Sequence, residues 1–272
     1  MRYYMTFETF MKRSLEGLAK ALFGKGSESP APEAPSEVNR ETENAERAVA
    51  VKKSVFNMMD AARYQGKIDW DAVKASGLVD CVLLKTVSTN SKFSRRKDGL
   101  YIDPTFERNY AECKRVGLPV GVYYYTYATT KAMADAELAV LKTALAGKTF
   151  EMPVCVDVED NKLVKLSKDS LTALVDYELR KLESWGVYAL LYTGLNFSLT
   201  RLNMTKLKAY DVWVAAYRKS MKKPATSYKY GIWQYTDEAR IPGVSTNADM
   251  SYAYKDYPTI IGRAGLSRVK GA

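Results

Sequence analysis

The stretch Pro153-Val154-Cys155-Val156-Asp157-Val158-Glu159-Asp160 decides how this chain is read. A short apolar, β-branched run that turns acidic at its end reads as a strand finishing in a D-x-E pair. Comparable runs lie at 55–59, 81–86, 120–125, 188–192, 212–216 and 231–235. Helical patterns separate several of them, at 69–76, 103–116, 131–146 and 168–185, and Gly77, Gly117, Gly147 and Gly186 follow as C-terminal caps. Strand, helix, strand with short connections predicts a mainly parallel sheet. The later strands have less helix between them, and no Gly-rich phosphate loop follows the first strand. The expected fold is therefore α/β, an irregular TIM-like β/α barrel, rather than a doubly wound sheet.

In such a barrel the chemistry sits at the C-terminal ends of the strands. Asp60, Asp157, Glu159 and Asp249 fall there. On a strand, residues two apart point to the same side and lie roughly 6–7 Å apart. Two carboxylates that close repel when both are ionised, so one tends to keep its proton at neutral pH. An acid beside a carboxylate is the equipment for glycoside hydrolysis. Clustered carboxylates also suit Mg²⁺ or Ca²⁺, but the D-x-D-x-D-G loop that would favour them is missing, and neither a metal nor a cofactor is expected.

Composition narrows the chemistry further. The 272 residues include no histidine, which excludes Ser-His-Asp and Cys-His nucleophile systems and imidazole-built zinc sites. Proton transfer then falls first to the 31 acidic residues. Cys81, Cys113 and Cys155 are scattered and odd in number, and read as buried, reduced thiols. Aromatics cluster near the strand ends, among them Tyr123, Tyr124, Tyr125, Tyr127, Tyr192, Trp213, Tyr217, Trp233 and Tyr235. Their faces could stack on sugar rings, though about half are expected to fill the barrel.

The chain divides near residue 50. Phe7, Phe10, Met11, Leu15, Leu18 and Leu22 recur at steps of three and four, which predicts an N-terminal amphipathic helix within residues 1–25. It either docks on a partner or lipid surface or caps the domain's own core. Residues 26–50 hold three prolines and few apolar anchors, and read as a disordered linker before a globular unit over 51–272. The first 50 residues carry 7 basic and 8 acidic groups, so the formal net charge of +10 becomes +11 on the remainder. No compact Lys/Arg stripe accompanies it, so an anionic polymer is the expected partner rather than nucleic acid. Glu8, Lys12, Arg13, Glu16 and Lys20 interrupt the N-terminus, which reads as neither a secretory signal nor a membrane span. Synthesis in the cytoplasm without a signal peptide is expected.

From about Val55 to Leu266 these segments resemble glycoside hydrolase family 25, the muramidases of bacteria and their phages. MMDAARYQGKIDWDAVKASG (58–77) is similar to the family's opening strand, Q-G-x-I-D-W turn and first helix. YIDPTFERNYAECKRVGLPVGVYYYTYA (101–128) resembles its D-P-x-F-x-x-N segment and G-x-Y-x-Y strand, and PVCVDVED (153–160) its D-x-E strand. YDVWVAAY (210–217), GIWQYT (231–236) and NADMSYAYKDYP (247–258) resemble its W-V-A-x-Y, W-Q-Y and V-D-x-N elements. The resemblance implies cleavage of the β-1,4 bond between N-acetylmuramic acid and N-acetylglucosamine in peptidoglycan glycan strands. It implies Glu159 as general acid/base, Asp157 as its paired carboxylate, and Asp60 and Asp249 completing an acidic groove. Tyr64, Gln65, Lys85, Tyr123, Tyr125, Tyr192, Trp213, Tyr217, Trp233 and Gln234 are the expected substrate-binding residues. An enzymic nucleophile and the substrate's own acetamido group both remain open as the anomeric partner.

The resemblance further implies a phage or prophage endolysin or a virion-associated lysin, acting at the bacterial wall after release or within a phage particle. The N-terminal helix would then dock a phage component, a membrane surface or a second copy. The segment GRAGLSRVKGA reads as a short basic tail and no wall-binding repeat is expected after residue 266, so wall affinity is expected from the groove, the charge or the N-terminal segment. Departures from the family pattern fall at Met58-Met59-Asp60-Ala61-Ala62, where its Gly and Ser are lost, and at Tyr64, where relatives often place His. Others are Lys85-Thr86-Val87-Ser88, which lacks a Glu, and Ser251, which replaces an Asn. They motivate the alternative, a catalytically silent wall-binding or virion structural module of the same fold. A chitinase-like barrel is disfavoured by the W-Q-Y and terminal elements.

Overall fold

The computed structural model describes residues 54–218 and 222–270. The helix and linker expected before residue 51 lie outside the described residues. β1 (Phe56–Ala61) and β2 (Cys81–Lys85) open the barrel, and β3 (Val87–Thr89) and β4 (Leu100–Ile102) form a separate two-stranded hairpin. The barrel continues with β5 (Val120–Tyr125), β6 (Val154–Asp157), β7 (Ala189–Gly194), β8 (Asp211–Ala215), β9 (Ile232–Ala239) and β10 (Ala248–Ala253). Eight strands close in the order β1-β10-β9-β8-β7-β6-β5-β2, with β2 pairing back onto β1. The helices are α1 (Trp70–Ala75), α2 (Phe106–Arg115), α3 (Lys131–Leu145), α4 (Lys168–Ser184), α5 (Leu195–Arg201) and α6 (Tyr257–Ala264).

Local chemistry starts and stops these helices. The side chains of Asp69, Thr130, Ser167 and Asp256 accept from backbone N–H groups in the first turns of α1, α3, α4 and α6. Gly77, Gly117, Gly147 and Gly186 take φ between 65° and 81°, the left-handed turn that ends a helix at little cost only in glycine.

Strand alternation then sorts the side chains. Met59, Val82, Leu84, Val122, Val154, Val156 and Leu191 face outward into the layer beneath the helices. Met58, Cys81, Leu83, Cys155, Leu190, Trp213, Ile232 and Ala253 fill the barrel interior. Gly121 occupies an interior position where a Cβ would come within 2.4 Å of the Pro153 carbonyl oxygen and 2.6 Å of Leu83. All three cysteines are buried and outside any disulfide.

The sequence pattern predicts a mainly parallel sheet, and six of the eight joints are parallel. β10 runs antiparallel to both β9 and β1. No helix stands between β9 and β10, and a direct return of the chain can only pair antiparallel.

A second buried polar cluster lies outside the barrel. Glu137 on α3 and Glu178 on α4 are 3% and 1% exposed, and both approach the Thr126 hydroxyl, at 2.7 and 3.0 Å. Thr126 has one proton to donate, so one of the two contacts requires a protonated carboxyl donating to Thr126. Tyr124 O–H donates to Glu178 at 3.1 Å, and the Tyr127 N–H donates to Glu137 at 2.9 Å. Burial pushes Glu178 up to about 8 and Glu137 to about 7, and the Lys162 ammonium partly offsets the latter. Both oxygens of Glu137 accept, from Thr126 and from the Tyr127 N–H, which leaves Glu178 as the carboxyl that carries the proton.

Candidate active site

β6 carries the D-x-E pair to the mouth of the barrel. Val158 donates its N–H to the Tyr192 carbonyl at 3.0 Å and is fully buried in the outer layer. Thr193 Oγ1 donates to the Val158 carbonyl at 2.8 Å. With Val158 pinned outward, Asp157 and Glu159 both face the barrel axis. Asp157 is buried, and its Oδ1 has no hydrogen-bond partner within the protein. Glu159 stands at the open rim, on the wall of a cleft of about 690 Å³ that runs past Asn161, Val164, Phe197 and Tyr217.

Asp60 on β1 and Asp249 on β10 are paired across the antiparallel joint. Gln234 on β9 bridges them, its Nε2 donating to Asp60 at 2.9 Å and to Asp249 at 3.4 Å. Its Oε1 accepts from Tyr192 O–H and Tyr217 O–H, both at 2.9 Å. All four hydrogen-bonding positions of the amide are used, which fixes its orientation. The Nε2 donor also stands where a cation bridging Asp60 and Asp249 would have to stand.

The electrostatics follow from crowding four carboxyls around one ammonium. Burial raises Asp60 well above the carboxylate range, and Asp249 raises it further, while the Gln234 hydrogen bond opposes this. Burial and then Glu159 raise Asp157, against Lys85. Glu159 is raised by desolvation in the protein-walled bowl; Lys85 and a Tyr192 hydrogen bond oppose this, and Asp249 adds to it. Burial and Asp237 raise Asp249 to about 6. Lys85 is lowered by burial, with Asp157 and Asp103 pulling the other way. The cluster therefore holds protons at pH values where exposed carboxyls have lost theirs.

Around the cluster, Lys85 Nζ lies 4.9 Å from the Tyr125 ring centre, 5.8 Å from Tyr123 and 6.0 Å from Tyr64. Tyr217, 50% exposed, has an open face on which a sugar ring can stack, while Tyr64, 63% exposed, has the Arg63 guanidinium over its ring. Tyr123 and Tyr192 pack on Trp213, which is buried and donates Nε1–H to Ser251 at 3.0 Å. Trp213 thus supports the floor of the site from beneath.

Three expected binding residues are corrected, the first being Trp213, which at 1% exposure lies under the site and offers no face to a substrate. Trp233 lies on the opposite phase of β9 from Gln234, packs against Val212 and Val214, and donates Nε1–H to the Ala216 carbonyl. It faces away from the carboxylates. Gln65 is buried with both ends of its amide on backbone: Oε1 accepts from Ala62 N–H and Nε2 donates to the Asn247 carbonyl. It ties the connection after β1 to the start of β10.

Sequence reasoning passed over four contributors. Arg63 has its guanidinium 4.0 Å from the Tyr64 ring centre and 4.4 Å from that of Phe93. Asp103 accepts from the Arg63 N–H at 3.0 Å. Asp160 accepts from Tyr125 O–H at 3.2 Å, and Asp237 acts on Asp249. Arg63 adjoins Tyr64 and Asp160 adjoins Glu159 in sequence, a signal that was available.

A barrel with a D-x-E strand and two further carboxyls at its mouth is now in place, and a sequence profile of the glycosyl hydrolases family 25 matches residues 59–244. The chain belongs to that family. The autolytic lysozyme of Clostridium acetobutylicum is 29% identical over 189 residues, which is 68% of this chain and 52% of that protein. This chain thus matches about half the length of that relative. The fold is shared with the Streptomyces coelicolor lysozyme, at TM-score 0.61 and 19% identity, over 77% of this chain and 96% of that one. It is shared also with the CTP1L endolysin, at TM-score 0.61 and 22% identity, over 76% and 70% of the two chains.

Proposed function

We propose that this chain is an N-acetylmuramidase that hydrolyses the β-1,4 bond between N-acetylmuramic acid and N-acetylglucosamine in peptidoglycan. The observation that carries the reading is the Asp157–Glu159 pair at the barrel mouth, facing Asp60 and Asp249 across Gln234. Glu159, raised by its surroundings and open to the cleft, is the carboxyl placed to donate a proton to the departing glycosidic oxygen. Asp157, Asp60 and Asp249 face the positive charge that builds at the anomeric carbon. That carbon is captured by Asp157 or by the substrate's own acetamido oxygen, and both routes use the same first proton transfer. Ionised Glu159 then takes a proton from the attacking water, which restores the starting state.

The endolysin and autolysin relatives support action at the bacterial wall, and we assign the chain to the lysins of phages or prophages. Digestion of purified peptidoglycan tests the activity. New reducing ends on muramic acid are expected. Reducing ends on glucosamine would replace the bond assignment, and binding without cleavage would favour a silent wall-binding module.

A further inference from the structure

The hairpin β3–β4 grows directly from the catalytic end of β2: Lys85 ends β2 and Val87 begins β3. Three strand residues, a span of roughly 10 Å, separate Lys85 from its tip. The tip, residues 90–99, reads Asn-Ser-Lys-Phe-Ser-Arg-Arg-Lys-Asp-Gly, with four basic residues against one acid. Lys92, Phe93, Arg95, Arg96 and Lys97 are all exposed. The tip is held by its own bonds: Asn90 N–H to the Gly99 carbonyl, Ser94 Oγ to the Leu100 carbonyl and Arg96 N–H to Ser94 Oγ. Arg96 is paired with Asp98, at 3.0 and 2.6 Å. Lys92, Arg95 and Lys97 carry the net charge outward.

The tip is continuous with the catalytic groove. Phe93 packs on Tyr101 at 5.5 Å between ring centres, and the Arg63 guanidinium lies against the rings of both Phe93 and Tyr64. Lys85 follows over Tyr64 and Tyr125. The mouth therefore has an acidic floor and a basic arm on one side. A neutral polysaccharide backbone can lie on the floor, while an anion attached to it is repelled from the floor and drawn to the arm.

We propose that the β3–β4 hairpin is a recognition arm for the carboxylates of the peptide stem that branches from muramic acid. This rests on the muramidase reading and names the part of the substrate that the arm takes. The stem is chosen because it hangs from every second sugar of the strand, within the arm's roughly 10 Å reach of the groove. Phosphate-bearing wall polymers have no such fixed distance from the bond being cut.

The experiment measures binding, so it does not depend on turnover. Full-length Glu159→Gln protein is compared with the same protein also carrying Lys92→Gln, Arg95→Gln and Lys97→Gln. Ligands are soluble glycan strands with stems, the same strands stripped of stems by an amidase and then amidated at the lactyl carboxylates this exposes, and walls with and without their phosphate polymers. For the strands with stems, the charge-removed protein should bind about tenfold more weakly at low salt. The difference should collapse near 0.5 M salt, where the Debye length is roughly 4 Å against roughly 30 Å at 0.01 M. The two proteins should bind stem-free strands alike. Equal affinity for strands with stems, or the same loss on stem-free strands, overturns the assignment. So does a loss seen only on walls that keep their phosphate polymers. Failure of the muramidase reading shows separately, as no new reducing ends from the unaltered protein.

Discussion

Replacing Glu178 by Gln should make the protein more stable at alkaline pH while leaving it nearly unchanged near pH 5. Glu178 is buried against Tyr124, Thr126 and Glu137, and its folded value is about 8 against an ordinary 4.5. Between those values the folded state holds more protons than the unfolded chain, so stability falls as pH rises and levels off above about 8. A full proton difference costs about 1.4 kcal/mol per pH unit, an upper bound near 5 kcal/mol for the whole interval. Partial hydration of the ionised state brings the expected effect to roughly 3 kcal/mol. Gln keeps the shape: Glu178 meets the Thr126 and Tyr124 hydroxyls through one oxygen, and an amide N–H₂ in that place can donate to both. The active-site carboxyls share the same sign of pH dependence but are common to both proteins, so they cancel in the comparison. Urea unfolding at unit steps from pH 5 to pH 9 measures the difference. It should grow by about 3 kcal/mol in favour of Glu178→Gln. Parallel stability curves would refute the buried shared proton.

Three other outcomes follow from the geometry. Lys85→Met removes the cation that lowers Glu159 and Asp157, so both limbs of the pH profile of kcat/KM should move to higher pH; unchanged limbs would deny the coupling. Gly121→Ala places a Cβ against the Pro153 carbonyl and Leu83, and should cost roughly 2–3 kcal/mol, read as a lowered Tm. Gln234→Leu leaves Asp60 and Asp249 without their shared donor, and should lower kcat about 10- to 100-fold with little change in far-UV circular dichroism, since the side chain is buried but similar in volume.

Most of the barrel was legible because its strands are buried runs separated by capped helices. Residues 120–125 and 131–146 coincide with β5 and α3 to within one residue. What escaped has physical causes. β10 begins at Ala248-Asp249 and mixes polar with aromatic residues, because one face lines the active site and the other packs on Trp233 and Tyr235. The β3–β4 hairpin has only three residues per strand and a charged tip, too short for a period to register. α5, at seven residues, and α6, which starts at a Tyr-Pro step, are likewise short.

The candidate carboxylates were readable because they end apolar strands, where alternation alone sets their direction. Trp233 shows the limit of reading aromatics by proximity to a strand end. It is one residue from Gln234, and on a strand one residue is the other face. Gln65 and Gln234 make the same point for amides. Both are buried, but one is committed to backbone and the other to carboxylates, which only the closed barrel determines.

The central claim is that Glu159 delivers the proton that breaks a muramyl bond, and mass spectrometry of digested peptidoglycan tests it most directly. The unaltered protein should release fragments with reducing ends on muramic acid, and Glu159→Gln should lower their rate of formation by about 10²- to 10⁴-fold. Fragments that form at the same rate with Glu159→Gln, or that end in reducing glucosamine, would contradict the account.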